Sequence, residues 1–153
     1  MNEPDLSQEL GFALGDVTQA WRQLLDRRLR PLGLSQATWR ALFNLERMGE
    51  TTSQRVLAER IGIEGPSLVR LLDSLERSGL VARGPCPGDR RAKSLQLTPR
   101  ARALLTSLHR VAREVREELL ADVPPDDIGQ VISVLARITA NAERQKSSQA
   151  EIA

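Results

Sequence analysis

The chain has 153 residues, enough for one domain with a helical extension, and 41% hydrophobic against 27% charged residues excludes a disordered tail. No apolar run reaches the roughly 20 residues of a membrane span, and the acidic start Met1-Asn2-Glu3-Pro4-Asp5 lacks the basic-then-apolar order of a signal peptide. The single Cys86 excludes an internal disulfide and points to a reducing, cytoplasmic setting.

The net charge of +2 says little, but its distribution is uneven. Residues 1–59 and 101–153 each carry seven basic and eight acidic side chains. Residues 60–100 carry eight basic and four acidic ones, so the whole positive excess lies in the middle third. Such a patch suits either a grip on a polyanion or a plain solvated surface. Aromatics are limited to Phe12, Trp21, Trp39 and Phe43, so the core must be built from Leu, Val, Ile and Ala.

In chain order, Leu10, Leu14, Val17, Trp21, Leu24 or Leu25, and Leu29 recur at steps of three and four, the stripe of one amphipathic helix. It ends near Arg30-Pro31, because proline cannot continue the ladder. Ser35 can cap a second helix carrying Trp39, Leu42, Phe43 and Leu45, with Gly49 as its stop. A helix of about two turns follows, from a hydroxyl cap in Thr52-Ser53-Gln54 through Val56, Leu57, Ala58 and Ile61 to Gly62. Glu64-Gly65-Pro66-Ser67 opens another helix, with Leu68, Val69, Leu71, Leu72 and Leu75 on its expected buried side and Ser78-Gly79 at its end. Two short helices joined by a tight glycine connection make a helix-turn-helix.

Leu80–Arg83 and Ser94–Thr98 read as two short strands around a turn-rich loop, Gly84 to Lys93, that is basic at its tip. A hairpin directly after a helix-turn-helix is a wing. Thr98-Pro99 then opens a long helix with the stripe Leu104, Leu108, Val111, Val115 and Leu119, broken by Pro124-Pro125. A last helix carries Ile128, Val131 or Ile132, Leu135, Ile138 and Ala142, and the stretch after Gln145 reads as frayed. The fold class is therefore mainly α with a small β-wing. A winged helix-turn-helix over 35–98 is flanked by an N-terminal dimerisation helix (1–34) and C-terminal dimerisation helices (99–153). The spare apolar stripes of the flanking helices suit a homodimer, or else the completion of one monomeric core.

His109 and Cys86 are single, which leaves no Cys/His metal cluster and no adjacent nucleophile–base pair. No glycine-rich phosphate loop follows a strand, so neither an enzyme nor a cofactor is expected. His109 is expected at a helix–helix boundary, and Glu114, Glu117 and Glu118 on a solvated face. Cys86 is either a thiol activated by its basic neighbours or an unreactive wing residue.

The segments Ile61-Gly62-Ile63-Glu64-Gly65-Pro66-Ser67-Leu68-Val69-Arg70, Leu75-Glu76-Arg77-Ser78-Gly79-Leu80-Val81 and Asp89-Arg90-Arg91-Ala92-Lys93, with Leu97-Thr98, resemble the MarR family. Within it they are most similar to the SlyA branch. Trp21-Arg22, Arg30-Pro31-Leu32 and Thr38-Trp39 add to a likeness covering roughly residues 6 to 145. The resemblance implies a dimeric winged helix on pseudo-palindromic double-stranded promoter DNA, responding to a small aromatic ligand. One departure is Ala101, where many members have glycine, at a helix start that tolerates alanine.

On this reading the helix from Gly65 is the recognition helix. Ser67 can donate to a base or a phosphate, and Arg70, one turn on, can reach guanine O6 and N7. Pro66 offers an apolar surface to a thymine methyl, or is a plain first-turn proline. In the wing, Arg91 is expected in the minor groove, Asp89 orients its guanidinium, and Arg90 and Lys93 contact phosphates. Ser53 and Gln54 can hold a phosphate at a helix start, where Ser53 equally suits an ordinary cap.

The resemblance also implies a sensing pocket between the dimerisation helices and the winged helix. Trp21, Arg22, Trp39, Phe43 and Leu72 can form an apolar slot with one cationic end, suited to an aromatic carboxylate, or the aromatics are simply core. Gln19 and Phe43 stand where relatives of that branch offer arginine or histidine, which argues against a salicylate-like preference. A ligand-responsive regulator, a constitutive or architectural DNA-binding protein, and a helical interaction module are the three functions these features allow.

Overall fold

The structure is a computed structural model that describes residues 5–49, 52–63, 65–86 and 89–150. Side chains at 86, 89–93, 146, 147, 149 and 150 lie outside the described set. The chain divides into two compact units, Met1–Arg116 and Glu117–Ala153.

In the first unit, helix α1 (Leu6–Leu29) starts at Asp5, whose carboxylate accepts from the Ser7 amide. A single 3-10 turn, Arg30–Leu32, and Gly33 at φ 73 close it where Pro31 was expected to. Of its apolar stripe only Leu25 and Leu29 are buried, while Leu10 and Val17 remain exposed. Helix α2 (Gln36–Met48) is capped by Ser35, which accepts from the Thr38 amide, and stops at Gly49.

Strand β1 (Thr52–Ser53) was not expected. Two residues are too short to show an alternation, and the strand exists only through its partner, in the register Thr52↔Leu95 and Ser53↔Ser94. Helix α3 (Gln54–Ile61) is capped by Ser53 and ends on Gly62, whose φ of 64 is the left-handed turn an L side chain resists. Helix α4 (Gly65–Arg77) follows after this connection.

Strands β2 (Val81–Cys86) and β3 (Asp89–Leu97) are longer than expected at the wing tip, and the sheet order is β1-β3-β2, all antiparallel. Gly84 and Pro85 read as turn formers, yet β2 is an edge strand, where proline is tolerated. The register holds from Val81↔Leu97 to Pro85↔Lys93, then jumps to Cys86↔Asp89. Arg90, Arg91 and Ala92 thus lie in a bulge of β3 with no counterpart in β2.

Helix α5 (Pro99–Leu119) is capped by Thr98, whose hydroxyl accepts from the Ala101 amide at 3.2 Å. Its buried residues are Ala101, Leu105, Leu108, Ala112 and Val115. Leu108 and Val115 of the apolar stripe are thus buried within the chain, Leu104, Val111 and Leu119 are half-buried, and two alanines lie on the buried face. The core joins α2, α3, α4, β2, β3 and the start of α5 through Leu42, Leu45, Leu57, Ile61, Leu72, Leu75, Val81, Leu95, Ala101 and Leu105. Burying each such leucine or isoleucine contributes about 1.5–3 kcal/mol.

In the second unit α5 ends at Leu119, ahead of the prolines, and a turn through Val123 leads into α6 (Pro125–Ala150). Asp126 and Asp127 in the first turn suit the positive end of the helix dipole. The helix runs on where fraying was expected, because Lys146 to Ala150 contains no glycine or proline. Val131, Ile132, Val134 and Ile138 of α6 are exposed. Among the described residues no helix is long and apolar enough to cross a membrane.

Candidate nucleic-acid interface

The turn between α3 and α4 positions the site. The amides of Gly62 and Ile63 both donate to the Ala58 carbonyl, closing α3, and Arg40 Nη2 of α2 donates to the Ile61 carbonyl at 2.7 Å. Burial lowers the Arg40 pKa from the ordinary arginine value, and the positive charge of Arg22 lowers it further. With Leu71, Leu72 and Leu75 turned into the core, α4 presents Pro66, Ser67, Val69 and Arg70 to solvent.

Three of these four were expected there. Arg70 Nη2 lies 3.5 Å from the Ser67 hydroxyl, so the two polar groups share one surface. Val69 corrects the sequence reading: it was placed on the buried side, yet it is 54% exposed. It follows directly on the half-buried Leu68, and an unbroken apolar pair in sequence hides the point at which a helix surface turns outward.

Ser53 is the cap of α3, accepting from the Val56 amide at 3.3 Å, and Gln54 is the first residue of that helix. Asp89, Arg90, Arg91 and Lys93 lie on β3, and their side chains lie outside the described residues, as do the Cys86 thiol, Glu64 and the Pro87-Gly88 tip.

A link from the wing to α4 was not foreseen. Arg83 of β2 donates from Nη2 to Asp73 Oδ1 of α4 at 2.6 Å, with its Nε 3.6 Å from Glu76 Oε2, an ion-pair distance too long for a hydrogen bond. Ten residues separate Arg83 from Asp73, so no local periodicity pairs them.

The expected ligand residues divide. Trp39 is buried and meets the half-buried Phe43 edge-on at 6.2 Å between ring centroids, and Phe43 meets the His109 ring at 5.3 Å. His109 Nε2 lies 2.6 Å from Glu46 Oε2, bridging α5 to α2 as expected. The Trp39 indole N–H is buried without an acceptor among the described residues. Trp21 is half-buried, and Arg22 lines an open cavity of about 600 Å³ with Thr18, Gln19, Gln23 and Gln36. Leu72, placed by the sequence reading on a ligand wall, is instead 1% exposed within the core cluster, because it lies on the inward face of α4. Among the described residues no group of His, Cys, Asp and Glu is arranged to hold a metal.

The arrangement of a helix-turn-helix followed by a hairpin recurs in known proteins. A family model described as the MarR family matches residues 32–92. The solved structure of transcriptional regulator PA3341 is 44% identical, with a TM-score of 0.81, over 88% of this chain and 98% of that one. A MarR-family transcriptional regulator from Rhodococcus sp. RHA1 is 26% identical, with a TM-score of 0.76, over 89% and 96% of the two chains. CouR from Rhodococcus jostii RHA1, solved bound to p-coumaroyl-CoA, is 27% identical, with a TM-score of 0.74, over 89% and 95%. With the winged helix and an outward-facing α4 in place, these matches settle the assignment: the chain belongs to the MarR family of transcriptional regulators.

Proposed function

We propose that this chain is a sequence-specific DNA-binding regulator of the SlyA-like branch, acting in the cytoplasm as a homodimer on pseudo-palindromic promoter sites. The observation that carries this reading is the outward face of α4, where Ser67, Arg70, Pro66 and Val69 offer hydrogen-bond donors and apolar groups together. Major-groove readout needs that combination: a guanidinium for guanine O6 and N7, and apolar carbon for a thymine methyl. Arg91 enters the minor groove from the bulge of β3, Asp89 orients it, and Arg90, Lys93, Ser53 and Gln54 hold phosphates. Residues 1–34 and 99–153 serve dimerisation. Exposed Leu10, Phe12 and Val17 on α1, and exposed Val131, Ile132 and Val134 on α6, support this use, since isolated helices rarely leave such stripes in water.

A small aromatic or phenolic ligand modulates binding, through Trp21, Arg22, Trp39 and Phe43. The buried, unpaired indole N–H of Trp39 favours a ligand bearing an acceptor, and the p-coumaroyl-CoA complex of CouR is a precedent within the family. The experiment is a titration of the protein against its own upstream promoter and an unrelated duplex at two salt concentrations. Tight binding to the promoter alone, at two chains per site, is expected. Equal, weak, salt-sensitive binding to both duplexes would replace the specific regulator with an architectural protein.

A further inference from the structure

A second cavity, of about 320 Å³, lies where the turn after α1, the start of α2, the end of α4 and the start of α5 meet. That volume is at the lower end of small-molecule sites, which run from roughly 300 Å³ upwards. Its walls include Leu75 and Leu80, which are buried, and Leu104, which is half-buried. Its polar groups are the hydroxyls of Thr38, Ser74 and Ser78 and the guanidinium of Arg100.

Arg100 has no hydrogen bond and no ion pair among the described residues, and no carboxylate lines the cavity. Its side chain runs beside the turn that ends α4, within 4.0 Å of where a Cβ on Gly79 would stand. The Ser78 hydroxyl is engaged with the Ser74 carbonyl, whereas the Ser74 hydroxyl has no partner among the described residues. An unneutralised guanidinium and an idle hydroxyl above a leucine wall are complementary to one chemistry. A carboxylate accepts from the guanidinium and the hydroxyl, and a compact apolar body covers the leucines.

We propose that this cavity is a second effector site, taking a small monocarboxylate with an apolar body, apart from the slot around Trp39 and Arg22. The proposal deepens the ligand-responsive reading given above and rests on it. Occupancy ties the last turn of α4 to the first turns of α2 and α5. Ligand and operator therefore change each other's affinity by the same factor.

The test is calorimetric titration of the intact protein with benzoate, phenylacetate and cinnamate, and with benzamide as the uncharged control. Wild type is expected to bind a carboxylate and not the amide. Arg100→Gln, at an exposed position that leaves the core intact, is expected to weaken binding at least about tenfold, and Ser74→Ala to weaken it less. The slot around Trp39 and Arg22 can take the same acids, so these variants are compared in an Arg22→Gln background, in which a carboxylate-binding event sensitive to Arg100→Gln is expected to remain. Operator affinity measured with saturating carboxylate is expected to shift at least about fivefold. No binding by any acid, binding abolished by Arg22→Gln but not Arg100→Gln, or an operator affinity indifferent to the ligand would overturn the proposal. A lowered salt slope of DNA binding in Arg100→Gln would also overturn it, assigning Arg100 to the DNA backbone. Operator binding by the ligand-free protein is scored separately, so a failed site and a failed regulator are told apart.

Discussion

Arg83 of β2 and Asp73 of α4 are joined by a 2.6 Å charged hydrogen bond, and through it the first strand of the wing is fixed to the helix proposed to face DNA. The guanidinium is 19% exposed and the Asp73 carboxylate 47%, so the bond is stronger than a surface pair but is screened on one side. Bonds to charged groups contribute about 1.5–3 kcal/mol when shielded. Discounted for the exposed carboxylate, Arg83→Met is expected to cost about 1–2 kcal/mol in denaturant unfolding. Amide exchange in β2 is expected to quicken more than in α2. A uniform change across the molecule would mean that the pair stabilises the whole fold and not the angle of the wing.

Thr98 holds two elements with one hydroxyl, donating to the Gly79 carbonyl at 2.6 Å and accepting from the Ala101 amide at 3.2 Å. It therefore caps α5 and clamps the turn that ends α4. Thr98→Val keeps the shape and removes both bonds. A destabilisation of about 1–2 kcal/mol is expected, with Thr98→Ser restoring most of it. If valine and serine proved equally stable, the hydroxyl would have no such role.

How far the sequence could be read follows from the range of each signal. Caps and stops act within a few residues, so Ser35, Ser53, Gly62, Thr98 and Pro99 were legible as element boundaries and stand where they were expected. The two-residue β1 was not legible, because its only cause is pairing with Ser94 and Leu95 some forty residues away. The inward-facing alanines of α5, Ala101 and Ala112, were not legible, because leucine and valine outweigh alanine in any apolar pattern. The face of α4 was legible at Ser67 and Arg70, where polarity marks it. It was not legible at Val69, where an apolar side chain points outward.

Val69 allows a clean separation of stability from recognition. Trimming an exposed side chain changes stability by about 0.5 kcal/mol or less, whereas removing the buried Leu72 side chain costs about 2–5 kcal/mol. Val69→Ala is thus expected to unfold at the wild-type denaturant midpoint and still lose operator affinity. The loss should be confined to operators with a thymine at the contacted step. Leu72→Ala is expected to lower the midpoint sharply. A Val69→Ala variant with unchanged affinity for every operator would remove this side chain from the interface.

Arg70 and Arg91 are expected to fail in different ways, because one is assigned to bases and the other to the minor groove and its backbone. A guanidinium that reads guanine discriminates by about 1–3 kcal/mol. Arg70→Ala should therefore weaken the operator by that amount and barely alter binding to unrelated DNA. A guanidinium that replaces condensed counterions acts through salt instead. Arg91→Ala should lower the slope of log affinity against log salt by about one while weakening all duplexes alike. Measuring both variants on operator and unrelated DNA across a salt series separates the two roles. An Arg70→Ala variant that lost affinity equally on both duplexes would move this residue to the phosphates, and base reading on α4 would then fall to Pro66, Ser67 and Val69.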